Sequence, residues 1–219
     1  CSLSHNEELA YEHAVLSKNY AEARRVSWNV DDLGDSSKAS RLLELVEEAE
    51  SEDRKVIVFS FFLDTIRKVT MLLENRCTNP INGSVTPQRR QEIIDEFDKA
   101  PAGTVLVAQI QSGGTGLNIQ SASVVVLCEP QFKPSIENQA ISRAYRMGQT
   151  RNVLVYRLLC EGTVDEKIMS TLESKQAIFD AFADKSVAAA ESQEIDERTF
   201  GNIIKEEIDR INAKYGNTK

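Results

Sequence analysis

Residues 55–75 read KVIVFSFFLDTIRKVTMLLEN. The first part, KVIVFSF over 55–61, is a short unbroken run of β-branched and aromatic residues, the form of a strand buried on both faces. From Leu63 onward the pattern is helical, so the stretch is a β-α unit. The unit recurs. NGSVTPQRRQEIIDEFDKA has Thr86 as N-cap and Pro87 at the first helical position, and TVLVAQI (104–110) follows as a second buried strand. SVVVLCE (123–129) is a third strand with a helix behind it, and NVLVYRLLC (152–160) is a fourth. Strands alternating with helices of about ten or more residues require right-handed crossovers and a mostly parallel sheet covered on both faces, whose ligands sit outside the carboxyl ends of the strands.

Helices flank this core. ELAYEHAVLSKNYAEAR (8–24) reads as one helix, and SSKASRLLELVEEAESED from Ser36 as another, with Leu42, Leu45, Val46 and Ala49 on one face; the turn-like NVDDLGDSS separates them. After Cys160 come the long helical TVDEKIMSTLESKQAIFDAFA, the linker-like DKSVAAAESQEIDER, and a final amphipathic helix with Phe200, Ile204, Ile208 and Ile211 in register. The expected organisation is a helical lead-in over 1–52, an α/β lobe over 53–183, and a linker with a terminal helix over 184–219.

Composition narrows the function classes. With 219 residues and 41% hydrophobic side chains, the chain has enough apolar surface for a core. It has no run of about 18 apolar residues and no signal-peptide pattern at its start, so an intracellular protein without a membrane partner is expected, in bacterial cytoplasm or a nucleus. Cys1, Cys77, Cys128 and Cys160 form no C-x-x-C pair, and both histidines lie near the N-terminus, which points to neither a disulfide framework nor a metal site. The chain begins without an initiator Met, so a fragment is expected, although removal of Met would leave the same start. The net charge of −8 is segregated: −7 over residues 1–54, +4 over 55–160 and −5 over 161–219. A basic centre between acidic flanks suits a polyanionic ligand at the centre.

Two stretches carry chemistry. QSGGTGLN (111–118) follows the second strand, where glycines let the backbone approach a phosphate closely. It is not a Walker A loop, which occurs nowhere in the chain. In NQAISRAYRMGQTR (138–151), Gln139, Arg143 and Arg146 fall at spacings of four and three, one cationic line on a helix, while Ile136, Ala140, Ala144 and Met147 form an apolar line beside it.

Taken with the upstream CEPQFKPSIE, these stretches resemble the second RecA-like lobe of superfamily-two helicases, and most closely the Swi/Snf family of double-stranded DNA translocases. The sixth motif of that family, QAxxRxxRxGQ, is matched by Gln139, Ala140, Arg143, Arg146, Gly148 and Gln149, and the GGxGLN end of its fifth motif by Gly113, Gly114, Gly116, Leu117 and Asn118. VIVFSFF resembles the fourth motif, and INGSVTPQRRQEIIDEF the segment after it, with Gly83, Ser84, Thr86, Arg90 and Phe97 in place. The resemblance spans residues 10–180.

What it implies is a RecA-like three-layer sandwich acting as half of a motor. ATP with Mg²⁺ would lie in a cleft against an N-terminal lobe of the same parent chain, which supplies the phosphate loop and the metal ligands. Arg146 matches the arginine finger and Arg143 its partner at the phosphates, and Gln139, Gly114, Gly116 and Asn118 are the nucleotide contacts. A permanently charged, planar guanidinium favours the charge that phosphoryl transfer spreads over the phosphate oxygens. Duplex DNA would meet Ser60, Gly83, Ser84, Thr86, Arg90, Ser112 and Lys133, with a DNA-bound protein as a further partner. Alone, the fragment is expected not to hydrolyse ATP. The sequence departs from the family at QIQS, in place of a Ser/Thr-Thr-Lys-like run, at EPQFKP and at FSFF. Two other classes stay open: a catalytically empty interaction lobe, and an RNA-directed helicase lobe.

Overall fold

The computed structural model describes residues 1–112, 119–145, 151–182 and 193–216. Four strands, β1 (Val56–Ser60), β2 (Val105–Gln109), β3 (Val124–Leu127) and β4 (Leu154–Arg157), form one parallel sheet in the order β2-β1-β3-β4. Alternate residues along each strand feed two separate cores, which is why the strand runs are apolar throughout. Val56, Val58, Val105, Val107, Val124 and Val126 face one side and are covered by α3 (Ser37–Ser51) and α4 (Leu63–Leu73). Ile57, Phe59, Leu106, Ala108, Val125 and Leu127 face the other, under α5 (Pro87–Lys99) and α6 (Pro134–Ser142). This is the three-layer α/β sandwich expected. Thr86 caps α5 by accepting the Arg89 N–H, with Pro87 in the first turn.

A third core joins the two ends of the chain. Helices α1 (His5–Leu16), α2 (Tyr20–Arg24), α7 (Val164–Phe182) and α8 (Glu197–Gly216) pack Tyr11, Val15, Val26, Val164, Ile168, Phe200 and Ile204 together. The single helix expected over 8–24 is in fact two. Lys18 takes a left-handed conformation (φ 56°), its N–H donates to the Val15 carbonyl, and the Asn19 N–H reaches back to Ala14, a Schellman ending without its usual glycine. Asn19 then caps α2 through the Glu22 N–H.

A buried ion pair links this helical cluster to the sheet. The Lys38 ammonium, on α3, lies 2.7 Å from the Asp165 carboxylate on α7, and both side chains are fully buried. Lys38 also donates to the Cys128 carbonyl at the end of β3, as does the Trp28 indole at 3.1 Å. Burial pulls the Lys38 pKa down, but Asp165 outweighs it and holds the group above the ordinary lysine value.

Candidate functional site

The strand order reverses direction between β1 and β3, so the crevice of this sheet opens at their carboxyl ends. Glu129 fills it. Its carboxylate is buried and accepts the Phe61 N–H at 2.6 Å, the Ser60 hydroxyl at 3.0 Å and the Gln131 amide at 3.2 Å. Burial raises its pKa, while the Phe61 and Ser60 donors and the Lys38 and Arg24 charges pull the other way. Arg24 stands close by, stacked 3.8 Å over the Phe132 ring and 5.1 Å from both Phe61 and Phe62. Carboxylate and guanidinium thus fasten the loops after β1 and β3 to each other.

Above this plug lies a polar edge built around Gln109, the last residue of β2. Its side-chain carbonyl accepts the Gly83 N–H and the Ser112 hydroxyl, each at 3.3 Å, and its amide donates to the Phe61 carbonyl at 3.3 Å. One side chain therefore ties together the loops after β1, after β2 and before α5. Ser84 closes the third loop, its N–H and hydroxyl both donating to Asn82, and Arg90 braces it from α5 by donating to the Val85 carbonyl at 2.9 Å.

Gly83, Ser84, Thr86, Arg90 and Ser112 are accordingly brought to one edge. Ser60 is not: it is 1% exposed with its hydroxyl committed to Glu129, so the surface contact expected of it is replaced by an internal one. Lys133 is exposed and stands apart, 2.5 Å from Glu194 of the C-terminal segment; the Ile195 N–H there donates to the Phe132 carbonyl. Gln109 escaped sequence reasoning. Its one signal was the departure of QIQS from a Ser/Thr-Thr-Lys-like run.

The cationic helix face lies elsewhere. Because β3 and β4 are parallel, α6 must run from the carboxyl edge back along the flank of the sheet. Buried Glu137 pins it, accepting the Gln131 N–H at 3.1 Å and the Arg157 Nε at 2.6 Å. Gln139 is exposed and Arg143 half-buried, with Ala140 and Ala144 turned into the core. The helix is shorter than the sequence predicts: it stops at Ser142, and Arg143, Ala144 and Tyr145 donate back three residues in tightened turns, while the Arg143 carbonyl takes the Ile119 N–H. Arg146, Gly114, Gly116 and Asn118 lie outside the described residues. Among the described residues no group of three or more His, Cys, Asp or Glu could hold a metal ion, and no helix is long and apolar enough to cross a membrane.

Residues 37–148 match the helicase conserved C-terminal domain family. An uncharacterised ATP-dependent helicase of Mycoplasma genitalium is 35% identical over 152 residues, which cover 68% of this chain and 15% of the relative. The ATP-dependent helicase fft2 of Schizosaccharomyces pombe is 33% identical over 185 residues, covering 82% of this chain and 14% of its own length. The SWI2/SNF2 ATPase core of Sulfolobus solfataricus in complex with dsDNA shares the fold with a TM-score of 0.66 at 25% identity, covering 89% of this chain and 48% of that one. The chain spans about 15% of the length of the curated relatives it matches.

Proposed function

Because this chain belongs to the helicase conserved C-terminal domain family, in its Swi/Snf-like branch, we propose that it is the second ATPase lobe of an ATP-dependent translocase on double-stranded DNA. Residues 53–183 form the body of the lobe, α3 (Ser37–Ser51) covers one face of its sheet, and the rest of 1–52 leads in while 184–219 follow as a linker and a terminal helix. The observation that carries this reading is the presence of two polar surfaces around one sheet. The Gln109 edge gathers Gly83, Ser84, Thr86, Arg90 and Ser112 at the carboxyl ends of the strands, and α6 carries Gln139 along the flank with Arg143 at its C-terminal end.

Each surface suits a different anion. At the edge, hydroxyls, backbone N–H groups and the Arg90 charge address the phosphates of a duplex backbone, contacts that position without reading sequence. Lys133, apart from this edge and paired with Glu194, is a further phosphate contact once that pair opens. Arg143, on the flank, and Arg146 are the residues that meet the phosphates of ATP, and Gln139, Gly114, Gly116 and Asn118 are the other nucleotide contacts. ATP with Mg²⁺ supplies the reacting phosphoryl group; the metal ligands and the phosphate loop come from the N-terminal lobe of the parent chain. This chain contributes fixed positive charge where negative charge develops. For an arginine finger that is worth about 10³ to 10⁵ in rate. Alone it turns over no ATP. The setting is intracellular, in bacterial cytoplasm or a nucleus, on DNA that carries other bound proteins.

The test is steady-state ATP hydrolysis by the full-length parent, with no nucleic acid, with duplex DNA and with single-stranded RNA. Duplex DNA should stimulate turnover most, and Arg146→Ala should abolish it with the fold intact. Turnover that survives Arg146→Ala, or is absent from the parent altogether, would return the chain to the class of interaction lobes. Preferential stimulation by RNA would replace the ligand.

A further inference from the structure

The two edges of the sheet are treated differently. The outer edge of β2 is covered by residues 78–81: Thr78 donates to the Val105 carbonyl at 3.1 Å, Ile81 to Val107 at 2.9 Å, and Gln109 to Ile81 at 2.7 Å. The outer edge of β4 has no such cover among the described residues. In a parallel ladder the N–H and carbonyl of one residue point to the same side, alternating along the strand. Leu154 and Leu158 donate inward, to Ser123 and Leu127, at 2.9 Å each. Val155, Arg157 and Leu159 therefore face outward, along a cleft of about 840 Å³ walled by Tyr156, Arg157 and Leu158 on one side and Ser40 and Leu45 of α3 on the other.

One residue already meets this edge. The Cys1 nitrogen donates to the Leu159 carbonyl at 2.8 Å, and the Glu161 N–H donates to the Cys1 carbonyl at 2.9 Å. Those two bonds straddle Cys160 in the pattern of a parallel bridge. We propose that the outer edge of β4 is the docking site for an extended segment of the same parent polypeptide, running parallel to β4 and leading into Cys1 as a fifth strand.

The register follows from the bridge. The residue two positions before Cys1 donates to the Arg157 carbonyl and accepts the Leu159 N–H. The residue four positions before it donates to Val155 and accepts the Arg157 N–H. Alternate side chains of the segment enter the cleft, where Leu45 and Tyr156 ask for apolar groups. The matched relatives are several times longer than this chain, so a parent of their kind has polypeptide to supply the strand. Bare strand edges are templates for stray pairing, and filling this one from within the chain removes that hazard.

Amide hydrogen exchange on the full-length parent, on this chain alone, and on a parent lacking about ten residues ahead of Cys1 tests the assignment. In the parent, the Val155, Arg157 and Leu159 amides should exchange at least roughly tenfold more slowly than in this chain alone, and the deletion should restore fast exchange. The inward amides of Leu154 and Leu158 report that the sheet itself is intact in every sample. Equal rates for the outward amides in parent and isolated chain would overturn the proposal. So would protection that survives the deletion, or protection that rises with protein concentration, which would assign the edge to a second copy.

Discussion

Replacing Lys38 by methionine should be among the most damaging single changes available in this chain. The substitution keeps the volume of the side chain but removes its charge, leaving Asp165 fully buried and unpaired. What remains to the carboxylate is little: one oxygen still accepts the Cys160 N–H at 3.0 Å, and the other has no hydrogen-bond partner even in the intact protein. Breaking a buried pair on one side costs about 3–5 kcal/mol, a large share of the 5–15 kcal/mol that typically holds a domain together. At this chain length each kcal/mol moves Tm by about 2–4 °C, so a fall of roughly 6–20 °C is expected. Lys38→Met combined with Asp165→Leu removes both charges. It should recover at least about 2 kcal/mol of the loss; recovery stays partial because the Cys160 N–H then lacks its acceptor. Urea unfolding of wild type, both single variants and the double variant measures the coupling. A cost below about 1 kcal/mol for Lys38→Met, or a double variant as unstable as the two singles added together, would refute the view that this pair fastens the helical cluster to the sheet.

Gln109→Met should cost only about 1.5 kcal/mol, because its three hydrogen bonds are all long, yet it should weaken duplex binding by the parent several-fold. No charge is removed, so the salt dependence of binding should keep its slope; unchanged affinity would deny Gln109 its role in arranging the edge. The contact between α1 and α8 should loosen on acidification. Burial raises the pKa of Glu207 and of Glu12, but the bonds from Arg210 and Tyr11 to the one, and from Lys214 and Tyr215 to the other, outweigh it and hold both below the ordinary 4.5. Depressed carboxylates stabilise the fold above that value and lose the contribution as pH falls through their folded pKa. Glu207→Gln should flatten the loss of stability below pH 4.5, and an unaltered acid titration followed by circular dichroism would contradict it.

The layered fold was legible because its cause is local. Runs such as Val56-Ile57-Val58-Phe59 have no polar face to present to water, so wherever they occur they must be covered on both sides, and the intervening helices are the only cover. The Thr86-Pro87 start of α5 was equally local, a cap and a fixed φ in adjacent residues. The break between α1 and α2 was not, because Lys18 adopts the left-handed conformation with none of the glycine that usually announces it. Just past the end of α6 at Ser142, the Arg143 carbonyl takes a bond from Ile119, a residue the helical period of 138–151 knows nothing about.

The candidate site was legible as a set of motifs but less so as a geometry, because a motif names positions without saying which way each side chain faces. Ser60 shares its side of β1 with Val56 and Val58, which face the core under α3 and α4, but since both sides of β1 are covered only the Glu129 carboxylate, distant in sequence, decides where its hydroxyl goes. The roles of Gln109 and Lys38 needed the third dimension. A glutamine at a strand end and a lysine on a helix are both, by composition, solvated residues. Each becomes consequential only when folding brings three loops within reach of one amide, or sets a carboxylate from a distant helix against one ammonium. The departure of QIQS from a Ser/Thr-rich run therefore marks more than a lost contact. A longer side chain at that position spans the gap between loops that a serine or threonine hydroxyl is too short to bridge.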